Sequence, residues 1–312
     1  MPRAIQIEPE EKPTKVSKVD AVLCADLHLR DDVPECRTDD FQAAQWRKVR
    51  FISMLCEKHN CPLVVAGDVF HHWKPSPGLL AKTIAEFPED VLFIPGQHDL
   101  PQHSMELYDK SGCAVLERTP WWRQLRSTGI KVDVLNFAGF PFGGADNFSK
   151  LIVGDADMLV LHLMVWYRVV PFPDCTADSA TALLRKIKGP KLILTGDNHQ
   201  PFVVRENGRL LVNPGSMMRT TVAQIDYRPR VYLWDAEGNE VEAVYLPIEE
   251  GVVSRERADA EVAREGRVEA FVKRLQEDVE SGLDYKKAVE RELGASKAGK
   301  SLRELVWKLM EE

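Results

Sequence analysis

Five short apolar runs in this 312-residue chain each end in a carboxylate, an imidazole or an amide. Val19 to Ala25 leads into Asp26-Leu27-His28, Leu63 to Ala66 into Gly67-Asp68, and Val91 to Ile94 into Gly96-Gln97-His98-Asp99. Met158 to Leu161 carries His162, and Lys191 to Thr195 leads into Gly196-Asp197-Asn198-His199. Branched apolar runs of four or five residues, flanked by turn residues, read as buried sheet strands. Polar groups gathered at the carboxyl ends of such strands form a site, because open α/β sheets bind ligands there. Asp26 and His28, two residues apart in extended chain, share a face and converge on one point.

The chain is long enough for one large core plus a smaller module. Its net charge of -7 removes any argument for nucleic-acid binding from bulk basicity. A local groove and bound divalent cations supply a positive field that such a total hides. The cysteines Cys24, Cys36, Cys56, Cys61, Cys113 and Cys175 show no zinc-type pairing, which points to a reducing compartment. Met1 to Lys18 is polar and reads as a loose arm, neither a signal peptide nor a spanning segment. No apolar run approaches the 18 residues of a membrane span, so the expected location is the cytoplasm, with no membrane partner.

Between the strands, Phe41 to Lys58 has helical apolar spacing with Asp39 or Asp40 as cap, and shorter helices are expected over 78–86 and 177–188. Residues 100–118 read as a helix followed by an extended piece at Ala114 to Glu117, and Lys131 to Phe140 reads as one strand. Asn207-Gly208 is the strongest hairpin turn in the sequence, and Asn213-Pro214-Gly215-Ser216 is a tight turn. The expected division is an arm at 1–18, a catalytic domain at 19–221, a small β-rich capping module at 222–250 and a helical region at 251–312.

Asp26, His28, Asp68, Gln97, His162, Asp197 and His199 make a mixed oxygen and nitrogen ligand set, suited to Mn, Fe, Co or Zn more than a purely oxygen-loving Ca or Mg site would be. Seven ligands suffice for two ions sharing one carboxylate, and Asp68 is the natural bridge. Two-metal sites activate water and clamp a phosphoryl oxygen. His98 is left over beside the cluster as a proton donor.

The order Asp-x-His, Gly-Asp, Gly-Gln-His-Asp, His, Gly-Asp-x-His over these residues resembles the calcineurin-like metallophosphoesterase superfamily. The run Leu211 to Ser216 and the strand Arg230 to Leu233 resemble its DNA-repair nuclease branch, the Mre11/SbcD-like enzymes. The resemblance covers about 19–248. It implies an α/β fold, a four-layer β-sandwich flanked by helices (αββα), with a small strand-rich cap and a helical tail. It implies a first ion held by Asp26, His28, Asp68 and His199, and a second held by Asp68, Gln97, His162 and Asp197. Both would be divalent, Mn2+ first, with Mg2+, Fe2+, Co2+ and Zn2+ as alternatives. His98 would be catalytic with Asp99 behind it, and Arg30, His71, His72, Trp166, Tyr167 and Arg168 are candidates to touch substrate.

The activity so implied is a phosphodiesterase acting on DNA, an exonuclease or endonuclease of repair or recombination. Two rivals stand beside it: a phosphatase or small-molecule phosphodiesterase with the same site, and a non-catalytic metal-binding scaffold. Implied partners are DNA, a second copy of the chain, and an SbcC/Rad50-like coiled-coil ATPase docked on the C-terminal helices. Two positions depart from the family pattern: Gln97 stands where Asn is usual and Asp197 where His is usual. The expectation from these is a harder, more anionic second position with shifted metal preference and weaker occupancy.

Overall fold

The computed structural model describes residues 15–144, 155–170, 175–257, 259, 293 and 306. The chain divides into two compact units, Met1–Val253 and Ser254–Glu312. The expected docking helices of the C-terminal region and most of the N-terminal arm lie outside the described residues. All strands among the described residues belong to the first unit.

Two six-stranded sheets carry the fold. The first runs β12-β11-β1-β2-β3-β4, with β1 at Ala21–Cys24, β2 at Leu63–Ala66, β3 at Val91–Ile94, β4 at Trp122–Gln124, β11 at Arg230–Asp235 and β12 at Glu240–Tyr245. The second runs β5-β6-β7-β8-β10-β9, with β5 at Ile130–Val132, β6 at Leu135–Phe140, β7 at Met158–His162, β8 at Leu192–Gly196, β9 at Phe202–Glu206 and β10 at Arg209–Asn213. Strands β1 to β4 are parallel to one another, and so are β6, β7, β8 and β10. Parallel central strands are covered on both faces, which explains why their sequences are continuously apolar rather than alternating.

The period of two still decides which layer each residue enters. Ala21, Leu23, Val64, Ala66, Leu92 and Ile94 point between the sheets, where they meet Phe137, Met158, Val160, Leu192, Leu194 and Trp234. Their neighbours Val22, Cys24, Leu63, Val65, Val91 and Phe93 face Phe41, Val49, Ile52 and Leu55 of α1 (Phe41–His59). Leu159, Leu161, Ile193 and Leu211 face Ala180, Leu183 and Leu184 of α4 (Ala180–Lys186). Helix, sheet, sheet and helix stack in that order.

Helix ends follow local chemistry. Asp40 caps α1 by accepting from Ala43 N, and Ser76 caps α2 (Pro77–Glu86), with Pro77 in the first turn where its missing N–H costs nothing. Ser179 caps α4 in the same way. The β9–β10 turn has Asn207 and Gly208 both at positive φ, 51° and 73°, as a tight two-residue hairpin requires.

Three expectations need correction. Residues 114–117 are not extended. They belong to α3 (Gly112–Glu117), which Ser111 caps by accepting from Ala114 N. Lys131 to Phe140 is two strands, β5 and β6, paired antiparallel about a turn in which Asp133 has φ 53°. The hairpin expected to start a capping module is part of the first sheet: β11 pairs antiparallel with β1, Ala21 opposite Trp234, and β12 forms its edge. A hairpin's own sequence does not say what it pairs with, and β1 had an open flank to fill.

Of the paired tryptophans, Trp122 is fully buried against Phe87 and Phe93, with ring centroids 5.1 and 5.5 Å away, whereas Trp121 is exposed. Trp122→Ala should lower unfolding free energy by about 3–5 kcal/mol in denaturant titration. Trp121→Ala should cost less than about 1 kcal/mol, and equal effects would refute this placement.

Candidate metal centre

All seven predicted ligands lie at the carboxyl ends of the parallel strands. Asp26 and His28 follow β1, Asp68 follows β2, Gln97 follows β3, His162 ends β7, and Asp197 and His199 follow β8. The backbone ladder continues past the strands and fixes these loops to one another. Asp26 N donates to Gly67 O, His28 N to Asp68 O and Leu29 N to Val69 O. Asp26, His28, Asp68 and Asp197 adopt positive φ, at 49°, 44°, 51° and 74°. This left-handed region costs a non-glycine residue about 1–3 kcal/mol, so the ladder holds the ligands in strained conformations.

Asp68 is at the centre. Its Oδ1 accepts from His98 N at 2.9 Å, and its buried Oδ2 has no hydrogen-bond partner. Oδ2 lies 3.5 Å from His28 Nε2 and 3.6 Å from His162 Nε2, between the two halves of the ligand set. Asp26 repeats the pattern: Oδ1 accepts from Asp197 N at 3.0 Å, and Oδ2 is buried without a partner. His28 and His199 face each other through their Nε2 atoms at 3.1 Å. Donors from Asp26, His28 and His199 fall within 4.8 Å of one another, and so do donors from Asp26, Asp68 and His162.

The electrostatics describe a site built for cations. Burial, with Asp68 nearby, pushes the Asp26 carboxyl up to about 8, so without a cation it takes a proton. Asp68 is also buried, yet the His162 and His28 imidazoles hold it below the carboxylate range. Burial lowers His28 and His199, leaving them as neutral donors. Burial pulls His162 the same way, but Asp68 and Asp26 overcome it and raise the imidazole to about 10. His162 Nδ1 donates to Ala66 O at 2.7 Å, which leaves Nε2 to face the site. Two orphaned carboxylate oxygens, two opposed neutral imidazoles and a third oriented from behind fit divalent ions, a cation replacing the proton on Asp26.

Gln97 and Asp197, the residues that depart from the family pattern, touch each other. Gln97 Nε2 donates to Asp197 Oδ1 at 2.6 Å, and Gln97 Oε1 lies 2.6 Å from His162 Nε2. His98 stands at the edge of the cluster, its ring 4.9 Å from that of His28 and stacked 5.5 Å from that of His71. Its Nδ1 lies 3.0 Å from His71 O. A carbonyl only accepts, so Nδ1 carries the proton and Nε2 is left to work on a substrate.

Asp99 does not stand behind His98. It is fully buried and accepts from Val69 N, Phe70 N and Gly96 N, pinning the loop after β2 to the loop after β3. Burial and then Asp68 push its carboxyl up to about 6. Its expected catalytic support of His98 is therefore replaced by a positioning role on the backbone.

Among the predicted substrate residues, the structure brings His71 and Arg30 to the site. His71 offers a donor within 4.8 Å of those of His28 and His98, and burial followed by the nearby Arg30 lowers its basicity. Arg30 is paired with Asp32. His72 is exposed and accepts from Lys74 N, away from the ligands. Trp166 donates to Ala177 O, Tyr167 packs on Phe202 at 6.0 Å, and Arg168 lies 5.2 Å over the Tyr167 ring. Trp166 and Tyr167 thus shape the loop after β7, and Arg168 sits on its exposed side.

Several supporting residues lie outside the predicted set of site residues. Asn198 donates to Val165 O at 2.6 Å and ties the β8 loop to the β7 loop. Ser216 N donates to His199 O and Met217 N to Asp26 O, so the turn after β10 holds two ligand-bearing segments by their carbonyls. Tyr227 OH donates to Ser216 O, and the buried Lys48 Nζ donates to Met217 O at 2.8 Å. A cavity of about 1310 Å³ lies at the opposite ends of the strands, lined by Asp20, Asn60, Asp90 and Trp121 among others, and no predicted ligand borders it.

A Cβ on Gly96 would collide with the Asp68 side chain and its backbone N. Gly96→Ala should therefore weaken metal binding by about 10–100-fold in equilibrium dialysis, and undiminished affinity would refute the role of Asp68. A second prediction concerns Lys48, which burial, and then Arg37 and Arg219, bring down to about 7. An unfolded lysine titrates near 10.4, so between these values the unfolded chain binds the extra proton and stability falls as pH falls. Relative to Lys48→Met, the wild type should lose stability from about pH 10 to pH 7 and run parallel below, as measured by denaturant midpoints.

A family model described as calcineurin-like phosphoesterase matches residues 21–201. No curated protein matches the chain. Among solved structures, an archaeal phosphodiesterase aligns with a TM-score of 0.41 at 12% identity, covering 72% of this chain and 99% of its own. The protein TT1561 of Thermus thermophilus aligns with a TM-score of 0.48 at 12% identity, covering 74% of this chain and 100% of its own. No helix among the described residues is long and apolar enough to cross a membrane. The matched region spans all seven predicted ligands, and the chain belongs to the calcineurin-like phosphoesterase family of metal-dependent phosphoester hydrolases.

Proposed function

We propose that this protein hydrolyses phosphodiester bonds in DNA with divalent metal, Mn2+ first among the candidates. The observation that carries the reading is the pairing of a cation cradle with His98 at its edge. When bound, metal polarises the phosphoryl oxygen and acidifies water. Asp68 uses one oxygen to face the cradle and the other to hold His98 N, so the position of the acid is set by the same carboxylate that faces the ions. His71 O accepts from His98 Nδ1, so His98 acts as the acid in its doubly protonated form, giving the Nε2 proton to the departing sugar oxygen. His28 and His199, neutral through burial, donate electron pairs without first losing a proton.

The choice of DNA rests on the resemblance of Leu211 to Ser216 to the nuclease branch. It is supported by what that run does here: its final serine and the following Met217 hold the carbonyls of His199 and Asp26. Arg30 and His71 beside the cradle, and Arg168 on the β7 loop, supply phosphate-binding chemistry that needs no base contacts. Docking to a coiled-coil ATPase and self-association belong to the same reading.

The test is hydrolysis of end-labelled single- and double-stranded DNA with Mn2+ or Mg2+. Terminal or ladder products should appear with Mn2+ and fall about 10²–10⁴-fold in His98→Ala. Turnover of bis-p-nitrophenyl phosphate with intact DNA would instead favour a small-molecule phosphodiesterase. Bound metal with neither activity would favour the scaffold.

A further inference from the structure

We propose that Gln97 and Asp197 bind each other and thereby close the second metal position, so that the chain holds one divalent ion tightly, at Asp26, His28, Asp68 and His199. The inference rests on the metal-dependent reading above and concerns only how many ions the residues of this chain can hold.

The hydrogen-bonding capacity of the two substituted side chains decides what they can offer a cation. An amide has one oxygen to offer and one nitrogen that only donates. Gln97 turns its nitrogen to Asp197 Oδ1 and its oxygen to His162 Nε2, both at 2.6 Å, so each end of the amide is engaged. For Gln97 and Asp197 to share an ion, the amide would have to turn over and give up both contacts. Asp197 is further committed through its backbone, whose N donates to Asp26 Oδ1. Among the described residues, its carboxylate joins neither of the donor groups that contain Asp26. A charge-assisted hydrogen bond between an amide and a carboxylate at the edge of the buried site is worth more than a neutral one, and a second ion must displace it.

The first position is less engaged. Its internal contact, between His28 Nε2 and His199 Nε2, is longer at 3.1 Å, and Asp26 Oδ2 and Asp68 Oδ2 are buried with no hydrogen bond. The substitutions also explain one another. Gln is one methylene longer than Asn and reaches across to residue 197. Asp at 197 accepts the amide N–H, where an imidazole would ligate metal.

The test is ion stoichiometry, which needs no turnover. The full chain is dialysed against stepwise Mn2+ and its metal content counted, with the electron paramagnetic resonance spectrum recorded at each step. The wild type should take one ion tightly, with the six-line spectrum of an isolated Mn2+, and a second at least about tenfold more weakly. The double variant Gln97→Asn, Asp197→His, checked for an unchanged melting temperature, should take two ions with a coupled spectrum. Two ions of like affinity in the wild type would overturn the proposal while leaving the metal-dependent reading intact. A folded double variant that still takes one ion would overturn it as well. A wild type that binds no Mn2+ would remove both.

Discussion

Two carboxylates, Asp26 and Asp68, are buried at the ends of adjacent parallel strands with one oxygen each left unpartnered. Burying a carboxylate oxygen without a hydrogen bond is strongly unfavourable, and here only nearby imidazoles offset it, at Asp68 more than at Asp26. The other features of the site are consequences of that arrangement. Their remaining oxygens accept the backbone N–H groups of Asp197 and His98, so the loops that carry the other ligands are positioned by the same two residues. Burial raises the Asp26 carboxyl, and Asp68 stays low because the His162 and His28 imidazoles face it. The fold thus stores an electrostatic demand at one edge, to be met by divalent ions.

The sheets make that demand tolerable. Fully apolar strands packed on both faces give a rigid platform, and the strain of Asp26, His28 and Asp68 at positive φ is spread over a ladder running from Gly67 to His71. Asp99 and Lys48 serve the same end from behind, one by accepting three backbone N–H groups and the other by holding the Met217 carbonyl, whose residue's own N–H reaches Asp26. Neither residue touches a ligand side chain. Each acts on the peptide backbone that aims one, which is why the site combines buried charge with fixed geometry.

How far the sequence disclosed this depends on the kind of signal. The strands at 63–66, 91–94 and 158–162 and the polar residues gathered at their ends were legible because apolar runs and terminal polar residues are local patterns. Helix α1 was legible for the same reason, with Asp40 the one of its two cap candidates that caps it. Pairing was not: residues 230–245 form a plain hairpin in sequence, and only the open flank of β1 turns them into part of the first sheet. Side-chain direction was not either. The neighbour relation of His98 and Asp99 suggested a working pair, but consecutive residues in a 3-10 turn point apart, and Asp99 turns inward to the backbone. Residues 114–117 misled because Val115 and Leu116 in a short apolar piece fit a strand as well as a helix, and the helix is set by the Ser111 cap. Positive φ at Asp26 and His28 has no sequence signature in non-glycine residues.

The departures at 97 and 197 are the place where motif and structure inform each other most. Taken singly, each change keeps an oxygen at the second position and reads as a milder version of the family ligand. Placed together, the longer amide and the carboxylate are complementary in reach and in charge, and they satisfy each other at 2.6 Å. A ligand oxygen engaged by a neighbouring donor is a poorer ligand, because the cation must compete with a hydrogen bond already formed in a partly buried, low-dielectric setting. Residue type alone counts donors. Geometry counts the donors that are free. By that count the half of the site around Asp26, His28 and His199 is open to an ion, and the half that depends on Gln97 and Asp197 is occupied by the protein itself.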